Sequence, residues 1–161
     1  DPRNIARVAG PMAAKLGEVD PANAAYYQAR YKAFAERWNV AIARWEKEAA
    51  PLRGVAVLVQ HKAFTYLIAW LGLKEVAALE PKPGIEPTTA HLSEVLALTQ
   101  QQPVKMVLHA TYQSDRASQW IAERAKIRAV ALPFTVGGDD AAKDLFGLFD
   151  DTIQLLLKGA Q

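Results

Sequence analysis

The stretch Gly54-Val55-Ala56-Val57-Leu58-Val59-Gln60 is a short, β-branched, apolar run with no helical period. A strand that alternates apolar and polar residues keeps one face wet. One that is apolar throughout is buried on both faces, as in parallel sheets covered by helices on each side. Three more short runs follow, at residues 75–79, 104–110 and 128–132, separated by stretches of helical length. This alternation of β and α predicts an α/β fold, a four-stranded parallel sheet flanked by helices and preceded by a long helical segment.

That helical segment fills residues 1–50. Ile5, Val8, Met12 and Leu16 have helical spacing, although Gly10-Pro11 is expected to bend or interrupt the helix. Asp20-Pro21 then offers an N-cap and a first-turn proline for a second, longer helix. Its apolar face reads Tyr27, Tyr31, Phe34, Trp38, Ile42 and Trp45 up to Pro51, which is core scaffold more than a ligand platform. The expected domains are residues 1–50 and an α/β part at 51–161, together one compact domain. Helices are expected at 61–71, 88–101, 114–125 and about 140–158, the last capped by Asp139 or Asp140. The connection at residues 80–87 reads as a loop ordered by its prolines.

With 161 residues, 51% of them hydrophobic, the chain can bury a real core, so disorder is set aside. Its 19 Lys and Arg and 17 Asp and Glu are interspersed, leaving no nucleic-acid footprint. There are no cysteines, hence no disulfide framework, thiolate zinc site or cysteine nucleophile. No apolar run approaches the ~20 residues of a membrane span. Asp1-Pro2-Arg3-Asn4 lacks the features of a signal peptide, so the chain is either cytosolic or a mature or truncated form; the missing initiator Met favours the latter.

Parallel strands joined by right-handed crossovers present all their carboxyl ends on one edge, where such sheets bind ligands. Here those ends are Gln60-His61, Leu79-Glu80, His109-Ala110-Thr111 and Leu132-Pro133-Phe134-Thr135. Imidazole is the commonest zinc ligand, so His61 and His109 are the candidate metal residues. His61 reads first as a ligand and second as a histidine hydrogen-bonded at a helix amino end; for His109 the order is reversed. His91 reads as a solvent-facing or capping residue. Glu80 is a possible carboxylate donor, or part of a surface turn. The loop Thr135-Val136-Gly137-Gly138-Asp139-Asp140 could cradle an anion, but its two aspartates fit helix capping or a reach to a cation better. No Gly-x-Ser-x-Gly, His-Glu-x-x-His or dinucleotide fingerprint is present, and no enzyme activity is expected.

Several segments resemble the cluster A-I solute-binding proteins of zinc and manganese ABC transporters. Glu18-Val19-Asp20-Pro21-Ala22-Asn23-Ala24-Ala25-Tyr26-Tyr27 is the most specific of them. Gln60-His61-Lys62-Ala63-Phe64-Thr65-Tyr66-Leu67 is similar to the family's His-Asp-Ala-Phe-x-Tyr motif, with His61 at the ligand position. Ile85-Glu86-Pro87-Thr88 and Tyr112-Gln113-Ser114-Asp115 are less specific matches. The resemblance implies a carboxy-terminal lobe whose residues 1–50 hold the helix joining two lobes, with the amino-terminal lobe and its histidines absent. It implies a periplasmic protein or extracytoplasmic lipoprotein that carries zinc or manganese to an ABC permease in the inner membrane. Metal binding by these residues alone is then weak or absent. The chain departs from the family where Leu132-Pro133-Phe134-Thr135 lacks the usual aspartate and where His109 replaces a common glutamate. The rival readings are a module for a small anionic ligand at Gly137-Gly138, a chelatase-like enzyme using His61 and His109, and a structural interaction domain.

Overall fold

The computed structural model describes residues 1–82 and 84–161, in two compact units, Asp1–Glu48 and Ala49–Gln161. In the first unit, helix α1 (Pro2–Val19) packs along helix α2 (Ala24–Glu48). Asp1 caps α1 by accepting from the Arg3 amide at 3.0 Å. Of the expected bend or interruption at Gly10-Pro11, the interruption does not occur: α1 continues through Pro11 as one helix. Packing outweighs the local penalty here: a Cβ on Gly10 would come within 3.1 Å of the Tyr31 hydroxyl, so the glycine admits the α2 ring at close range. The second helix also begins later than expected. Pro21–Asn23 form a 3-10 turn, and the Asp20 carboxylate accepts from the Asn23 side-chain amide and the Tyr27 hydroxyl, both at 2.8 Å, instead of capping a backbone amide. The aromatic stripe of α2 is core: Trp38 and Trp45 are fully buried and meet edge-on at 5.1 Å, and the Trp38 indole N–H donates to the Pro2 carbonyl at 2.9 Å.

The second unit is a doubly wound sheet. Its strands are β1 (Ala56–Val59), β2 (Lys74–Ala78), β3 (Val104–Ala110) and β4 (Arg128–Leu132), all parallel, in the order β2-β1-β3-β4. Helices α3 (Thr65–Leu71), α4 (Thr89–Gln101), α5 (Arg116–Ala125) and α6 (Leu145–Ala160) complete it. One sheet face packs under α4 and α5 through Leu58, Val107, Leu92, Val95 and Ile121. The other lies under α6, where Gly159 abuts Met106 and Val130, and α3 joins that layer through Trp70 on Phe149. The β1 residues Val57, Leu58 and Val59 are all fully buried, as a strand covered on both faces requires.

The two helix starts that differ most from the sequence reading, those of α3 and α6, do so because turn chemistry intervenes. α3 starts at Thr65 and leaves residues 61–64 in a turn closed by the Ala63 amide on the His61 carbonyl. α6 starts at Leu145, capped by Asp144, whose carboxylate accepts from Gly147 N at 2.8 Å; Asp139 and Asp140 lie in the preceding loop. In that loop Asp139 accepts from the Ala141 and Ala142 amides, a tight turn that competes with helix. The expected proline-ordered connection at 80–87 includes Pro83, which lies outside the described residues.

A Cβ at Gly159 would stand 2.7 Å from Val130 Cγ2 and 2.9 Å from Met106 Sδ. Gly159→Val is therefore expected to lower stability by about 1–3 kcal/mol through overpacking, read as a lower urea midpoint; an unchanged midpoint would show that α6 is free to lift from the sheet.

Candidate functional site at the switch in strand order

From β1 the chain crosses to β2 on one side, then returns past β1 to β3 and continues to β4. The helices after β1 and β3 consequently lie on opposite faces of the sheet, which makes the carboxyl ends of these neighbouring strands the switch point where open α/β sheets bind ligands. His61 and His109 stand at those two ends. Val59 pairs with Leu108 in register, and the Gln60 amide donates to the Leu108 carbonyl at 2.8 Å, so Gln60 lies opposite His109. With strands ~4.8 Å apart and successive Cα atoms ~3.8 Å apart, the His61 and His109 backbones are no more than about 9 Å apart.

Their side chains have different surroundings. Alternation places His109 on the face of Val107 and Gln60, beneath the amino end of α5. It is 5% exposed, and its Nδ1 is buried without a hydrogen-bond partner among the described residues. Burial holds the imidazole below the usual histidine value, partly offset by the Asp115 carboxylate, so the ring is neutral at physiological pH. Gln60, 7% exposed, is engaged on both sides of its amide: the nitrogen donates to the Ser114 carbonyl and the oxygen accepts from the Ser118 hydroxyl, both at 2.7 Å. It ties the end of β1 to α5.

His61 is half-buried in the turn after β1 and leans toward β2, where its Nδ1 meets Glu80 Oε2 at 2.7 Å. That oxygen also accepts from the Gly84 amide at 2.9 Å, so Glu80 has a structured role that its proline-rich surroundings did not suggest. His91 is neither a cap nor simply solvent-facing: its Nε2 hydrogen-bonds the Ala78 carbonyl at 3.2 Å, fastening α4 to the end of β2. Among the described residues, no group of three or more His, Cys, Asp or Glu is placed to hold a metal ion. Asp139 serves its turn and faces Asp151, whose carboxyl is pushed up by burial first and by Asp139 next. The amides of Gly137, Gly138, Ala141 and Ala142 are all used internally, leaving the loop without free donors at those positions for an anion.

Sequence reasoning missed an aromatic rim on this edge. Phe134, half-exposed, meets Phe64 edge-on at 6.3 Å and Tyr112 at 5.5 Å, bringing together the segments after β4, β1 and β3. Each ring sits just beyond a strand end, so the strand-end rule reaches all three, but nothing in the sequence says that they touch.

Both perturbed groups have testable consequences. The unfolded chain protonates His109 near pH 6.5 whereas the folded chain resists, so stability should fall as pH drops through 6.5, and His109→Leu should flatten that slope in urea titrations. Asp151 has the opposite sign. Its raised value means that ionisation opposes folding above the unfolded value of 3.8, so Asp151→Asn should raise the melting temperature at neutral pH and lose that advantage below pH 3.8.

Residues 1–159 match the family described as Zinc-uptake complex component A periplasmic, ZnuA. The high-affinity zinc uptake system protein ZnuA of Brucella abortus is 28% identical over 95 residues, 59% of this chain and 28% of that protein. The Bacillus subtilis protein of the same name is 24% identical over 111 residues, 69% of this chain and 35% of that one. Among solved structures, a ZnuA crystal structure superposes with a TM-score of 0.85 at 22% identity, covering all of this chain and 58% of that one. The solute-binding protein FpvC of Pseudomonas aeruginosa, in complex with Mn2+, superposes with a TM-score of 0.75 at 24% identity, covering 93% of this chain and 57% of that one. The chain thus spans little more than half the length of these solved relatives. With a doubly wound parallel sheet, histidines at its switch point and a match over residues 1–159, this chain belongs to the ZnuA family of zinc-uptake components.

Proposed function

We propose that this chain is the metal-binding carboxy-terminal lobe of a solute-binding protein that carries zinc or manganese to an ABC permease, outside the cytoplasm. The observation that carries the reading is the pair of histidines at the switch point. His61 and His109 are presented by adjacent parallel strands, one ring oriented by a carboxylate and the other kept neutral by burial. A divalent ion requires the unprotonated imidazole, so His109 offers its ring without first losing a proton to solvent.

In this reading His61 binds the ion through Nε2, because Nδ1 is engaged by Glu80, and His109 offers the second donor. Zinc sites take four donors as a rule, with water filling an open position. The remaining donors come from outside these 161 residues, in line with solved relatives of which the chain covers 58%. We therefore read residues 1–50 as the helix joining the two lobes and the helix after it. The aromatic rim of Phe64, Tyr112 and Phe134 borders the switch point, where it would shield a bound ion from water.

Calorimetric titration of the complete protein with Zn2+ and Mn2+ tests the reading. His61→Ala should weaken binding of the preferred ion by at least tenfold while leaving the melting temperature of the metal-free protein within a few degrees, since the ring stands at an open edge. His109→Ala should also weaken binding. The 161-residue chain alone should bind far more weakly than the complete protein, because donors and closure are both lost. Wild-type affinity in both variants would place the metal site elsewhere.

A further inference from the structure

The His61–Glu80 contact goes beyond the identity of the ligand. Two ladder bonds fix its backbone: Leu79 N donates to the Val59 carbonyl at 2.8 Å and Glu80 N to the Gln60 carbonyl at 3.0 Å. Both partners thus hang from the same rigid junction of β1 and β2, each two residues past the last paired positions, Val59 and Ala78. The Glu80 side chain is 16% exposed and that of His61 30%, so the hydrogen bond is sheltered while part of the ring still faces outward. Oε2 also receives the Gly84 amide at 2.9 Å, which pins the carboxylate from its loop side. A short contact to an ionised carboxylate is among the stronger hydrogen bonds available to a side chain.

Resting on the reading of His61 as a ligand, we propose that Glu80 is the positioning residue of the metal site, holding the His61 proton on Nδ1 so that Nε2 presents its lone pair to the ion before the ion arrives. Chemically, a neutral imidazole has one protonated and one free nitrogen, and the partner of the first decides which nitrogen is free. A carboxylate can only accept, so it selects the Nδ1–H tautomer and leaves Nε2 as the donor to metal. It also makes Nε2 more basic and fixes the ring plane. Losing such a partner typically costs 10–100-fold in metal affinity.

The test uses the complete protein, with zinc as the probe, in wild type and in the variants Glu80→Ala, Glu80→Gln and His61→Ala. Two quantities are read: zinc affinity by chelator competition, and the His61 tautomer by long-range 15N–1H NMR of the metal-free protein above neutral pH. In wild type the His61 proton should lie on Nδ1, and zinc should shift the Nε2 resonance. Glu80→Ala should abolish the tautomer preference and weaken zinc binding by about 10–100-fold. Glu80→Gln keeps an acceptor for both Nδ1–H and the Gly84 amide once its side-chain amide is suitably turned, so it should preserve the tautomer and lose less affinity. Glu80 acting only as a loop anchor would leave the tautomer unmoved in Glu80→Ala, and that result overturns the proposal. So does zinc bound through Nδ1 or directly by Glu80. Full affinity in His61→Ala would instead remove the metal-site reading itself, whereas a loss in His61→Ala with none in Glu80→Ala removes only the role of Glu80.

Discussion

The parallel hydrogen-bond ladder through β1 is the constraint on which the rest of this structure depends. β1 is only four residues long, yet it pairs on both sides, with β2 and with β3. Because every neighbour runs parallel, the chain must cross the sheet between strands, and the helices that make those crossings cover both faces. Central strands covered in this way must be apolar on both faces, which accounts for the complete burial of Val57, Leu58 and Val59. The same ladder sends all four strand ends to one edge, and the order β2-β1-β3-β4 puts the switch point between β1 and β3.

Polar groups at that switch point are treated unequally, and the inequality is informative. Gln60 is buried, donating to the Ser114 carbonyl just before α5 and accepting from the Ser118 hydroxyl of α5, and it locks the end of β1. His91 likewise joins α4 to β2. His109 is as buried as Gln60, but among the described residues its Nδ1 has no hydrogen-bond partner, and burial holds the ring neutral. A buried polar atom without a partner among the described residues, beside the engaged Gln60, marks a place where packing alone has not dictated the residue.

Much of this could be read from the chain. Each predicted strand was found, the limits of β3 and β4 without change, because a short β-branched run bounded by helical stretches has few other ways to hide its surface. Helix starts were less legible. Asp139 and Asp140 looked like caps for the last helix, but Asp139 bonds the amides of Ala141 and Ala142 in a turn, and the capping role passes to Asp144. Gly10-Pro11 looked like a bend or a break, but the helix is not broken there, and Tyr31 approaches Gly10 closely. In both cases a local preference was real, and a contact a few residues away or across a helix pair outweighed it.

The sequence by itself determined the periodicities, and through them the α/β class, the parallel sheet and the presence of His61 and His109 at strand ends, since these follow from which residues must leave water and in what rhythm. Tertiary structure alone decided which strands are neighbours, and with that where the switch point lies. It also decided that Glu80 grips His61 across nineteen residues of chain, and that Phe64, Tyr112 and Phe134 meet on one rim. Those facts depend on strand order and on side chains arriving from separate loops, and pairings between distant segments leave no periodic trace in a single sequence.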